Sequence, residues 1–211
     1  MQTAYPGEEA TVAHRVLWLY GIYMLLSNAA YLTGYALLPE GVMRRSPSVA
    51  AGRFVAGASS FWGELALTLL FNVGLVVVVA VIMNLNQVRG FPVGYLYPIF
   101  LGVVSGLISG TNSFASSDLT LFNARDGMAL GLSIGNLEML GYILVLAATV
   151  RYGVYQYRSW WRWGGEWSPT KRMRVRDVHL TRSEMIALGL GLACIILAAV
   201  RETMMARGGP A

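Results

Sequence analysis

Glu138 is the residue best placed, by type and spacing, to do chemistry in this chain. It is the only charged residue between Met128 and Val150. A carboxylate inside an apolar span costs roughly 2.5–3.5 kcal/mol on insertion scales, so it needs a partner or a water-filled cavity. Gly131, Gly135, Glu138 and Tyr142 step by four, three and four residues, which on a helix puts the carboxylate on the glycine face, turned toward a neighbouring helix. Ser105 and Ser109 on the preceding apolar segment, and Ser133 and Asn136 on its own, supply hydrogen-bonding groups. Glu64, Thr68 and Asn72 recur every four residues on an earlier segment and form a second polar stripe. Two readings follow: a proton or polar-substrate path between helices, or a protonated Glu138 that holds helices together through a carbonyl or a serine.

Other chemistries find little to work with. His14 and His179 are isolated, Cys194 is a lone cysteine in an apolar run, and Asp118 and Asp126 stand alone in the polar connection 111–126. HExxH, GxSxG, P-loop and Cys-His signatures are absent. The expectation is a non-catalytic protein with no cofactor and no metal. Gly102, Gly106 and Gly110, then Gly127, Gly131 and Gly135, form two double GxxxG patterns, which let helix backbones approach closely inside a bilayer. They pack helices within the chain or make a homodimer face. Trp160, Trp161 and Trp163 alternate with Arg162, Arg172 and Arg174 in a basic loop. This reads as an interfacial belt on anionic lipid headgroups, or as a docking surface for a partner. Nucleic acid would use a similar mixture, but membrane topology accounts for the charge.

The elements that position these residues are helices. The chain is 55% hydrophobic and 13% charged, with a mean hydropathy of +0.53, where soluble domains carry about a quarter charged residues. An all-α integral membrane protein of one domain is expected. Its five spans lie near 16–38, 65–83, 93–110, 128–150 and 185–200, and an amphipathic interfacial helix opens at Ser46-Pro47 and runs to Ser60. Pro98 predicts a kink or an early turn in the third span. The helical pattern of the fourth extends past Arg151 through Tyr152, Tyr155 and Tyr157. Thr181-Arg182-Ser183-Glu184 fits a capping box before the fifth. The first segment is too long for a signal-peptide core and is expected to be retained. Eight of the sixteen basic residues fall in the loop 151–182. Placing that loop in the cytoplasm puts the N-terminus inside and the C-terminus on the opposite side of the cell membrane.

Leu70-Phe71-Asn72, Pro98 followed by Leu101-Gly102 and Gly106, and Gly135-Asn136-Leu137-Glu138 leading to Arg151-Tyr152-Gly153 are the residues by which the chain resembles the stage II sporulation protein M family of integral membrane proteins. That family usually carries a histidine where this chain has Ile134, an asparagine where it has Leu101, and often a proline after the glutamate. The resemblance implies a polytopic helical protein working inside a larger assembly: a membrane scaffold or accessory subunit, whose partners are lipids and other membrane proteins or itself. The alternative is a transporter or permease subunit with a polar path around Glu138.

Overall fold

Apolar side chains in runs of twenty or more leave backbone amides no partner but their own helix, and the computed structural model of the chain is accordingly mostly helical. It describes residues 5–114, 135–158, 160, 170–171 and 174–207. Helix α1 spans Val12–Leu37, capped by the Thr11 hydroxyl. The interfacial segment folds as α2, Pro47–Ala56, with the Ser46 hydroxyl accepting from the Val49 amide and Pro47 in the first turn. A continuous helical rod follows, made of α3 (Phe61–Leu69), a π-helical stretch at Leu70–Val77, and α4 (Val78–Asn84). Next come α5 (Leu96–Gly110), entered through a 3-10 turn at Val93–Tyr95, then α6 (Asn136–Thr149) and α7 (Arg182–Ala206).

Among the described residues, four helical segments are long and apolar enough to cross a membrane: Val12–Leu37, Phe61–Asn84, Val93–Gly110 and Arg182–Ala206. Leucines on their outer faces, Leu17, Leu25, Leu70, Leu75, Leu190 and Leu197, are each more than half exposed. Such a surface suits lipid and not water. The last span exceeds the expected 185–200 because Arg201 and Glu202 simply continue the helix. Of the expected fourth span, 128–150, the described part is α6 with its 14 residues. Residues 128–134, with Gly131 and Ser133, lie outside the described part, as do Gly127 and nearly all of the connection 111–126.

α6 is the core. Ile143, Val145, Leu146 and Ala147 have no exposed surface and pack with Leu19, Tyr23, Ala80, Tyr95 and Ile195. α6 is held chiefly by α7, with α1 and α4 beside it. Pro98 produces no mid-helix kink, because it falls in the first turn of α5, where an amide would lack an intrahelical partner. Past Thr149 the helix does not continue. A 3-10 turn at Val150–Tyr152 ends at Gly153, where a Cβ would lie 2.1 Å from Gln87 Nε2, and Tyr155–Tyr157 becomes a strand.

That strand is β3 of a small sheet with β1 (Asn86–Val88), β2 (Phe91–Pro92) and β4 (Thr170–Lys171), in the order β2-β1-β3-β4. β1 pairs antiparallel with β2 and parallel with β3, Val88 facing Tyr157, and β3 pairs antiparallel with β4. The sheet sits at the bundle end where α4 stops and α5 starts. Arg89 and Gly90, with φ of 52° and 84°, make the two-residue β1–β2 turn.

Candidate functional site: the polar centre of the bundle

Glu138 lies in the first turn of α6, half-buried, and accepts a hydrogen bond from the hydroxyl of Tyr142 one turn on. The spacing of four that suggested a shared face thus joins these two side chains. Tyr23 of α1, Tyr97 of α5 and Glu202 of α7 are within electrostatic reach of the carboxylate. Tyr23 is itself within hydrogen-bonding reach of Ser27 and Ser105, and the Ser105 hydroxyl donates to the Gly102 carbonyl at 3.2 Å. The result is a carboxylate among tyrosine hydroxyls, bounded by four helices. It can exchange a proton; among the described residues no group of three His, Cys, Asp or Glu could hold a metal ion.

The glycine patterns separate. Gly102, Gly106 and Gly110 are buried against α1, which runs parallel to α5. Cβ atoms at Gly106 and Gly110 would fall 2.3 Å from the carbonyl oxygens of Ser27 and Tyr31. The stripe therefore packs on the first segment and not on the segment carrying Glu138. At Gly135 a Cβ would meet no described atom within 4 Å. The glycines that seat α6 are Gly141 and, across from it on α7, Gly191, each of whose Cβ would lie 2.8 Å from the other's carbonyl oxygen. Neither belongs to a GxxxG pattern that ranks it above the others.

In the Glu64, Thr68 and Asn72 stripe, the first two side chains are engaged inside the chain. Glu64 is 5% exposed and takes the Arg207 guanidinium at 2.8 Å, tying α3 to the end of α7. The Thr68 hydroxyl donates back to the Glu64 carbonyl at 3.0 Å. Asn72 lies half-buried in the π-helical stretch, and Asn136 is the half-buried first residue of α6. In the basic loop, Trp160 packs its ring 5.9 Å from that of Phe91 and Arg174 is exposed. Trp161, Arg162, Trp163 and Arg172 lie outside the described residues.

The strongest polar cluster is one that spacing did not reveal. Arg15 and Glu184, each 1% exposed, form an ion pair of 3.0 Å between the first turns of α1 and α7. Arg15 also donates to the carbonyls of Ala147 at 2.9 Å, Gly7 at 3.1 Å and Glu8 at 2.5 Å. Arg151 reaches the same Glu184 Oε1 at 2.9 Å. The other Glu184 oxygen accepts from the Thr181 amide at 2.8 Å and hydroxyl at 2.9 Å, which completes the expected capping box. A buried charge is tolerable only when paired and fully hydrogen-bonded, and here both are. The available signal was positional: Arg15, Leu19 and Tyr23 step by four along the buried face of α1. Nearby, Asn84 Nδ2 bonds the Leu146 carbonyl and the Thr149 hydroxyl, at 3.0 and 2.8 Å.

Comparison of the chain with protein-family models, with curated proteins and with solved structures finds no match.

Proposed function

We propose that the chain is a non-catalytic integral membrane scaffold or accessory subunit of a larger complex, set in the cell membrane with its N-terminus in the cytoplasm. The observation that carries this reading is the enclosure of α6. Ile143 to Ala148 have almost no exposed surface, apart from the half-buried Leu144. The charges beside them, Arg15 and Glu184, are consumed by partners inside the chain. A centre so packed offers a substrate no route, whereas a rigid bundle with an apolar belt offers neighbours a fixed surface. The motif residues Gly135-Asn136-Leu137-Glu138 and the resemblance they carry point the same way. Exposed Arg158, Lys171, Arg174 and Arg176 at the sheet end suit the negative cytoplasmic leaflet or an acidic partner.

The test is purification from the native membrane in a mild detergent, with size analysis and mass spectrometry of the eluate. A stoichiometric partner is expected; a lone chain would refute the accessory-subunit reading. One observation favours a second reading, transport: Glu138 sits with Tyr142, Tyr23 and Tyr97 at the level of mid-α1. Proton-coupled flux in proteoliposomes, abolished by Glu138→Gln, would establish it in place of the scaffold.

A further inference from the structure

The β1–β2 turn is occupied by a residue that its backbone does not favour. Arg89 has φ of 52° and Gly90 of 84°, the left-handed pair of a type I′ hairpin, where asparagine, aspartate and glycine are preferred. A side chain other than these in that conformation costs on the order of 1 kcal/mol. The parallel register ends with Val88 beside Tyr157, and the residues that follow on each strand are Arg89 and Arg158, which line the same cleft. The ladder continues there, since the Arg89 amide donates to the Tyr157 carbonyl at 2.9 Å. Like charges side by side on neighbouring strands repel. The Arg89 Nε is fixed on the Arg158 carbonyl at 2.8 Å, which anchors one guanidinium while its terminal amino groups bond no described residue. Neither arginine is ion-paired within the described part.

Both line a cleft of about 640 Å³, whose other described walls are Gly90, Gln156, Tyr157 and Thr170. Gln156 and Thr170 face each other across β3 and β4, adding an amide and a hydroxyl to the two guanidiniums. The cleft opens where α4 ends at Asn84 and the span from Val93 begins, at the level expected for headgroups.

We propose that this cleft binds a phosphate group, held between Arg89 and Arg158 with Gln156 and Thr170 as further donors. Planar guanidiniums engage phosphate oxygens in pairs. An anion between them converts the repulsion of adjacent arginines into attraction and accounts for an arginine where the turn prefers asparagine. The inference holds whether the chain is a scaffold or a carrier. The phosphate belongs to an anionic phospholipid or to a soluble phosphate compound, and the test has an arm for each.

The full-length protein in mild detergent is titrated with inorganic pyrophosphate and, separately, with phosphatidylglycerol in mixed micelles, phosphatidylcholine being the neutral control. Thermal unfolding is the readout. Stabilisation by at least one anionic probe and none by phosphatidylcholine is expected. Half-saturation should move about tenfold or more in Arg89→Asn and in Arg158→Gln, the loss expected for one charged hydrogen-bond donor. Arg89→Asn suits the left-handed turn, so without ligand it should melt at or above the wild-type temperature, which separates loss of binding from loss of fold. A response to pyrophosphate identifies a soluble phosphate ligand, and one to phosphatidylglycerol alone a headgroup. No stabilisation by either probe, or half-saturation unchanged in both variants, overturns the proposal.

Discussion

Replacing Gly106 by alanine tests the α1–α5 contact on which the parallel pairing rests. A Cβ at this position would lie 2.3 Å from the Ser27 carbonyl oxygen, 2.9 Å from Ala30 Cβ and 3.0 Å from the Tyr31 amide nitrogen. Ordinary contact begins near 3.4 Å, so the helices must part by about 1.1 Å at this level. The obstruction is backbone on α1, which no rotamer change can relieve. Overpacking of this kind costs about 1–3 kcal/mol, and the rigidity of the obstacle places Gly106→Ala at the upper end. Alanine recovers about 1 kcal/mol of helix propensity, leaving a net loss of about 2 kcal/mol. For a chain of this length that lowers the melting temperature by roughly 4–8 °C. Gly21, on the same helix as the obstructing carbonyls, has nothing within 4 Å of its Cβ position, so Gly21→Ala should be neutral or slightly stabilising. The measurement is thermal unfolding of both variants in one detergent, followed by size-exclusion chromatography. If Gly106→Ala melts at or above wild type, α1 and α5 do not touch along this stripe.

Arg15→Gln should destabilise by about 3–5 kcal/mol, the range for breaking a buried pair, whereas Arg151→Gln, whose side chain is 44% exposed, should cost about 1 kcal/mol or less; equal losses in thermal unfolding would mean that Glu184 is not buried. A Cβ on Gly94 would fall 2.1 Å from Asn84 Oδ1 and 3.0 Å from Leu146 Cδ2. Gly94→Ala should therefore unfold at a markedly lower temperature, and adding Asn84→Ala should restore part of the loss; a double variant showing the plain sum of the two single effects would contradict this contact. Glu138→Gln retains an acceptor for Tyr142, so stability should change by about 1 kcal/mol or less and co-purification of a partner should persist. Loss of the partner in this variant would make Glu138 part of the docking surface.

What could be read from residues alone was whatever repeats along one helix. Long apolar runs located α1, the Phe61–Asn84 rod, α5 and α7, and Thr181 with Glu184 announced the start of α7 because both partners of a capping box lie within one turn. The spacing of Gly102, Gly106 and Gly110 marked a close approach, but not its partner. α1 answers it with Tyr23, Ser27 and Tyr31, a surface without a matching glycine pattern, since the glycine stripe alone removes enough bulk. Gly135 carried the same spacing with no contact among the described residues, because a pattern on one helix cannot say what stands opposite. The ion cluster joins residues far apart in the chain, so the step of four from Arg15 to Leu19 and Tyr23 marks a buried face of α1 without naming Glu184 as the partner. The sheet was missed for a different reason. Its strands have two or three residues, too few for alternation to show, and Tyr155–Tyr157 follows a helix closely enough to read as its continuation.

The span of 169 residues between Arg15 and Glu184 also sets a timetable. At translation rates of about 5–20 residues per second, on the order of ten to thirty seconds separate the emergence of the two residues. Until α7 emerges, the guanidinium at the start of α1 has no carboxylate to meet in the bundle and must stay in the aqueous edge of the membrane. The backbone carbonyls of Gly7 and Glu8, within one short segment of Arg15, are available to it from the outset, and that of Ala147 only once α6 is made. α7 thus closes a contact that α1 opened 169 residues earlier. Chains arrested before residue 184 would hold the Arg15 guanidinium by backbone carbonyls alone, without the Glu184 carboxylate that pairs with it in the bundle.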